Sequence, residues 1–192
     1  MAKKFTRLTF AILVISSNSF THAGEKNSTY AFLRINNGAR SAALAGSFVS
    51  ISGDPVIIFY NPAGLGTLRS NEASFGYLKH FLDINSGYAA YGQPFRDWGW
   101  FGVGVSYINY GSFTQTDDVG NRLGTFHANE LALIAGYSNL LYQTVHYGVN
   151  VKLIYSSIAD SRSAALAVDL GGMYILESQQ ITIGARLLNI GR

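Results

Sequence analysis

The stretch TVHYGVNVKLIYS, Thr144 to Ser156, decides the fold. Its odd positions, Val145, Tyr147, Val149, Val151, Leu153 and Tyr155, are all apolar, whereas Thr144, His146, Gly148, Asn150, Lys152, Ile154 and Ser156 between them are mostly polar or small. A period of two places these sets on opposite faces of an extended strand. The pattern recurs in both directions. Phe101, Val103, Val105 and Tyr107 alternate with Gly102, Gly104 and Ser106 within Trp98 to Tyr110, and Ile181, Ile183, Ala185 and Leu187 alternate with Thr182, Gly184 and Arg186. Further strands are predicted at Glu72 to Lys79, Ile84 to Gln93, Glu130 to Ser138 and Ala165 to Ile175. From Asn71 onward no helical period interrupts them, so seven strands in an up-and-down antiparallel meander are expected.

Alternation alone fits a soluble sandwich as well as a membrane barrel, because each buries one strand face in something apolar. Three features favour the barrel. The predicted strands reach or exceed the about nine to eleven residues that a tilted spanning strand needs. Aromatic residues gather near strand ends, at Tyr88, Tyr91, Phe95, Trp98, Trp100, Tyr107, Tyr110, Tyr137, Tyr142, Tyr155 and Tyr174, as interfacial girdles would place them. Connections alternate in length. Those around Pro94 to Asp97, Asn139 to Gln143 and Leu176 to Ser178 are short, whereas Gly111 to Asn129 and Ser157 to Ala164 read as long loops. The expected fold is all-β: an antiparallel up-and-down outer-membrane β-barrel, incomplete at about seven strands, with a short helical N-terminal hatch.

Composition and the N-terminus agree with export. The 192 residues are 48% hydrophobic, 14% aromatic and only 13% charged, with no cysteine. That excludes a disulfide scaffold, a thiolate metal site and a cysteine nucleophile. Met1 to Ala23 reads as a cleaved signal peptide: Lys3, Lys4 and Arg7, then an apolar run from Leu8 to Ile15, then Thr21-His22-Ala23. Its removal takes three of the 14 basic residues and leaves 11 against 11 acidic ones, which offers no electrostatic footprint for nucleic acid. No run long enough for a membrane helix follows. The domains expected are the signal peptide at 1–23, a hatch or plug segment at 24–70 and a partial barrel at 71–192.

The hatch segment does not alternate. Leu44, Phe48 and Ile51 have helical spacing within Arg40 to Ile51, and Ser52-Gly53-Asp54-Pro55 follows as a helix stop. Asn61-Pro62-Ala63-Gly64-Leu65-Gly66 must turn. The run Gly38-Ala39-Arg40-Ser41-Ala42-Ala43-Leu44-Ala45-Gly46-Ser47-Phe48-Val49, with Asp54 and Phe59-Tyr60-Asn61-Pro62-Ala63-Gly64-Leu65 after it, resembles the N-terminal signature of the PorV/PorQ family. Asp118 to Phe126 leading into Leu131 to Tyr137 resembles that family too. The family is similar in fold to FadL-type long-chain fatty acid transporters, whose hatch carries a related Asn-Pro-Ala motif. The resemblance implies a fourteen-stranded outer-membrane barrel, so a chain with seven strands is expected to be its N-terminal half. It further implies a role in protein secretion and surface attachment of the type IX kind, with outer-membrane lipid, secreted cargo and secretion components as partners. The FadL likeness implies the alternative, passive transport of hydrophobic small molecules.

If the apolar faces meet lipid, the opposite faces line a lumen. That places Glu130, His146, Asn150, Lys152, Asp169 and Arg186 inside, where charges either pair with one another or contact a solute. The hatch motif Asn61, Pro62, Ala63 and Gly64 is the other candidate site. No catalytic, cofactor or metal constellation is present: Gly102-Val103-Gly104 lacks the following helix of a dinucleotide site, and His80, His127 and His146 have no partner at ligand spacing.

Overall fold

The computed structural model describes residues 30–191, so the signal peptide expected at 1–23 lies outside the described residues. Seven strands follow in order: β1 (Glu72–Lys79), β2 (Asn85–Pro94), β3 (Trp100–Thr116), β4 (Arg122–Tyr142), β5 (Val145–Ile158), β6 (Ser161–Leu176) and β7 (Ile181–Gly191). Each pairs antiparallel with the next, giving one sheet in the order β1-β2-β3-β4-β5-β6-β7, with β1 and β7 as its two edges. The seven strands and the segment from Phe32 to Leu68 belong to one compact unit.

That segment packs on one face of the sheet, here the inner face. It holds a single short helix, α1 (Ala39–Ala43), and 3-10 turns at Pro55–Phe59 and Pro62–Thr67. The helix expected over Arg40 to Ile51 stops early, because Ala45 (φ 51°) and Gly46 (φ 78°) turn left-handed. Both 3-10 turns begin with the same device. Asp54 accepts from Val56 N at 3.0 Å with Pro55 next to it, and Asn61 accepts from Ala63 N at 3.1 Å with Pro62 next to it. A side-chain acceptor offsets a free N–H, and proline supplies the φ of the first turn without offering another donor. Phe48, Ile57, Ile58 and Leu65 are fully buried and form the core between segment and sheet.

The sheet carries apolar side chains on both faces. On the inner face Gly102, Gly104, Ser106, Ala132, Gly136, Ser138, Gly148 and Asn150 are buried together with Ile108, Ile134, Ile154 and Met173, while on the outer face Phe101, Val103, Val105, Leu133, Val151, Leu153 and Leu170 are exposed. Register sorts the outer face into rows. Lys79, Asn85, Asn109, Asn129, Ser157 and Arg162 align in a polar row; two residues along, Tyr77, Gly87, Tyr107, Leu131 and Tyr155 align. Two mainly aliphatic rows follow, one with Val105, Leu133, Leu153 and Leu166, the next with Val103, Ala135, Val151 and Val168. At the far end stand Phe101, Tyr137, Tyr147 and Tyr174, with Phe95 edge-on to Phe101 at 5.9 Å.

Three expectations are corrected. Gly111 to Asn129 is not a loop: β3 and β4 continue to Thr116 and from Arg122, joined by a turn whose Asp117 carboxylate accepts from Val119 N and Asn121 N. Ser157 to Ala164 reduces to a tight turn at Ala159 and Asp160. Tyr88, Trp100 and Tyr110 are not girdle residues. Tyr88 packs edge-on to Phe59 of the inner segment, Trp100 Nε1 donates to Leu68 O at 2.9 Å, and Tyr110 donates to the buried Glu130 at 2.6 Å.

Candidate functional site

The inner face carries residues 32–68, a segment called the plug for its place on the sheet and nothing more. Gly92, Gly102, Gly136, Asn150 and Asp169 align across β2 to β6, and Ser138, Gly148, Gly171 and Arg186 align across β4 to β7. Glycine is required where the backbone of the plug comes closest. A Cβ on Gly148 would stand 2.5 Å from Ala63 N, one on Gly171 would stand 2.9 Å from Pro62 Cδ, and one on Gly136 or Gly102 would press Leu65 at 2.9 Å. Such glycines cost backbone entropy in a strand, which the close approach offsets.

The motif Asn61, Pro62, Ala63 and Gly64 is the part so seated, and all four residues are buried. Asn61 caps its own turn through Oδ1 and donates from Nδ2 to Val49 O at 2.7 Å and Gly172 O at 3.2 Å. Ala63 O lies 3.1 Å from Ser138 Oγ. Gly64 is free of a side chain because Ile57 occupies that space.

The structure places all six charged or polar candidates on the plug-bearing face and brings three together. Lys152 Nζ lies 2.8 Å from Asp169 Oδ2, with the two side chains 3% and 0% exposed. Asn150 Nδ2 donates to Asp169 Oδ2 at 3.0 Å and to Ile58 O of the plug at 2.8 Å. Among the described residues this pair is hydrogen-bonded to the plug only through Asn150. Arg186 stands apart: its Nη1 donates to Tyr60 O at 3.0 Å and its guanidinium lies 5.8 Å from the Tyr60 ring centre. Glu130 pairs with Tyr110 at the opposite end of the face. His146 lies beside Trp100 with ring centres 6.3 Å apart, and its Nδ1 is buried without a partner.

Two residues of this site escape a reading by alternation. Asn189 stands where two residues of β7 oppose Asp169 alone, a bulge with Asn189 at φ 57°. The bulge turns Asn189 Oδ1 toward Lys152 Nζ at 2.9 Å and its N–H toward Asp169 Oδ1 at 2.8 Å. The signal was the phase slip of apolar residues, odd through Leu187 and even at Ile190. Tyr60 is the second. Burial pushes its phenol above the ordinary value, against the hydrogen bond with Ser41 and the charge of Arg186, so the neutral hydroxyl donates to Ser41 Oγ at 2.9 Å.

Among the described residues no group of three or more His, Asp or Glu could hold a metal ion. No protein-family model matches the chain, and no curated protein matches it.

Proposed function

We propose that the chain forms the plug and part of the wall of an outer-membrane β-barrel of the PorV/PorQ type, serving protein secretion and surface attachment. The observation that carries this reading is the outer face, where continuous apolar rows stand exposed although the inner face is already covered by residues 32–68. From Tyr147 to Tyr155 the band measures about 26 Å along the strand, and about 20 Å across at a strand tilt near 40°. Aromatic residues bound it at both ends, which fits the two interfaces of a bilayer. A row of Lys79, asparagines and Arg162 beyond Tyr77, Tyr107 and Tyr155 fits the headgroup region.

The hairpin of β3 and β4 supports the secretion role over passive transport. It projects past the last pairs of its neighbours, Asn85 with Asn109 and Ala128 with Ile158, and so offers an arm on the membrane surface. Transport of a hydrophobic solute would require the plug to shift against the buried hydrogen bonds that seat it. Carbonate-washed outer membranes should retain the protein, and a soluble fraction holding most of it would overturn the membrane reading. Replacing residues 112–127, the part of the hairpin beyond the last pairs with β2 and β5, by a two-residue turn should leave insertion intact and abolish cross-linking to secreted cargo. Undiminished cross-linking would refute the secretion role.

A further inference from the structure

A cleft of about 430 Å³ opens between the plug and β7, lined on one side by Arg34, Asn36 and Tyr60 and on the other by Arg186 and Asn189. Its lining is mostly polar and contains no carboxylate. The nearest acid, Asp169, is already committed to Lys152, Asn150 and the Asn189 N–H. Among the described residues the only ion pairs are Arg40 with Asp54 and Lys152 with Asp169, so both arginines of the cleft lack an acidic partner. Arg186 is also held in place. One nitrogen donates to Tyr60 O and the guanidinium lies over the Tyr60 ring, which leaves its remaining N–H groups for another acceptor.

We infer that this cleft binds a small oxyanion, a carboxylate or a phosphate, between the guanidinium groups of Arg34 and Arg186. Guanidinium forks match the paired oxygens of these groups, and charge-assisted hydrogen bonds are the strong ones. Asparagine amides at Asn36 and Asn189 supply neutral donors beside them. The polar lining disfavours an acyl chain, so the anionic group itself is what the cleft recognises. This inference does not depend on where the protein resides or on what it secretes.

The test is calorimetric titration of the purified chain in detergent with inorganic phosphate and, separately, with acetate. Saturable binding of either is expected, weakened at least about tenfold by Arg34→Gln, the loss of one charge-assisted contact. The Arg34 side chain makes no hydrogen bond among the described residues, so this variant tests binding without disturbing the seat. Arg186→Lys keeps the charge, removes the fork and should weaken binding as well. A second arm uses dihexanoyl phosphatidic acid below its micelle concentration. Binding equal to that of phosphate identifies a free oxyanion as the ligand, and tighter binding still lost in Arg34→Gln identifies a lipid headgroup. Absence of saturation with every probe, or affinity unchanged in both variants, overturns the inference.

Discussion

Replacing Asp169 by leucine removes the hub of the buried network. The carboxylate accepts from Lys152 Nζ at 2.8 Å, Asn150 Nδ2 at 3.0 Å and Asn189 N at 2.8 Å, and it is wholly buried. Asp169→Leu leaves the Lys152 ammonium buried with only Asn189 Oδ1, so a loss of about 3–5 kcal/mol is expected, the usual cost of stranding one member of a buried pair. Lys152→Met should cost less, about 2 kcal/mol, because two donors still face the carboxylate. With both replaced no charge is stranded, and the double variant should lie at least about 2 kcal/mol below the sum of the singles. Urea unfolding of protein refolded into vesicles, followed by tryptophan emission, measures all three. Trp100, bonded to the plug at Leu68 O, makes that signal sensitive to the seat. A loss under about 1 kcal/mol for Asp169→Leu, or strict additivity in the cycle, would refute the argument that the pair acts as one unit.

Gly148→Val should unseat the plug, because any Cβ there meets the Pro62 and Ala63 backbone; limited proteolysis within residues 50–55 should accelerate. Gly172→Ala, with open space around its Cβ, should shift stability by no more than about 0.5 kcal/mol. Val151→Arg, on the exposed outer face, should cost about 2–4 kcal/mol in a bilayer and reduce insertion into vesicles, whereas Asp118→Arg at the hairpin tip should not. Hydrogen bonds from the Asn121 side chain and backbone hold the Asp117 carboxyl below its ordinary value. The 117–121 turn is therefore favoured above the ordinary carboxylate range and loses that contribution as pH falls through the lowered value, and amide exchange at Val119 and Asn121 should speed up over that fall.

The strands were legible because each has one face in apolar surroundings, which writes a period of two into the sequence. Where that condition lapses the period of two is lost. The outer half of the β3–β4 hairpin, rich in Thr, Gln, Asn and Gly, has no apolar face to show and is held by its own ladder and by Phe113 stacked on Phe126 at 5.2 Å. The two-residue turn at Ala159 takes φ 50° on an alanine, which no local residue type announces. Parity would have separated Trp100 from the girdle, since it shares the even phase of Gly102 and Gly104. Alternation assigned the six polar candidates to a common face, but which of them meet depends on register and on the bulge at Asn189.

The contacts that seat the plug join residues far apart in the chain. Ile58 waits for Asn150, Asn61 for Gly172 and Tyr60 for Arg186, separations of 92, 111 and 126 residues. The segment that leaves the ribosome early is therefore among the last to lock, and its lock closes only when β7 arrives. Contacts this distant pay their loop-closure entropy before they return any stabilisation, so assembly should be slow. Until β2 to β4 have formed, Ile58 and Leu65, which lie against Gly102 and Gly136, have no sheet to cover them. For a chain delivered from its N-terminus, that interval is the period in which the plug must be shielded by something else.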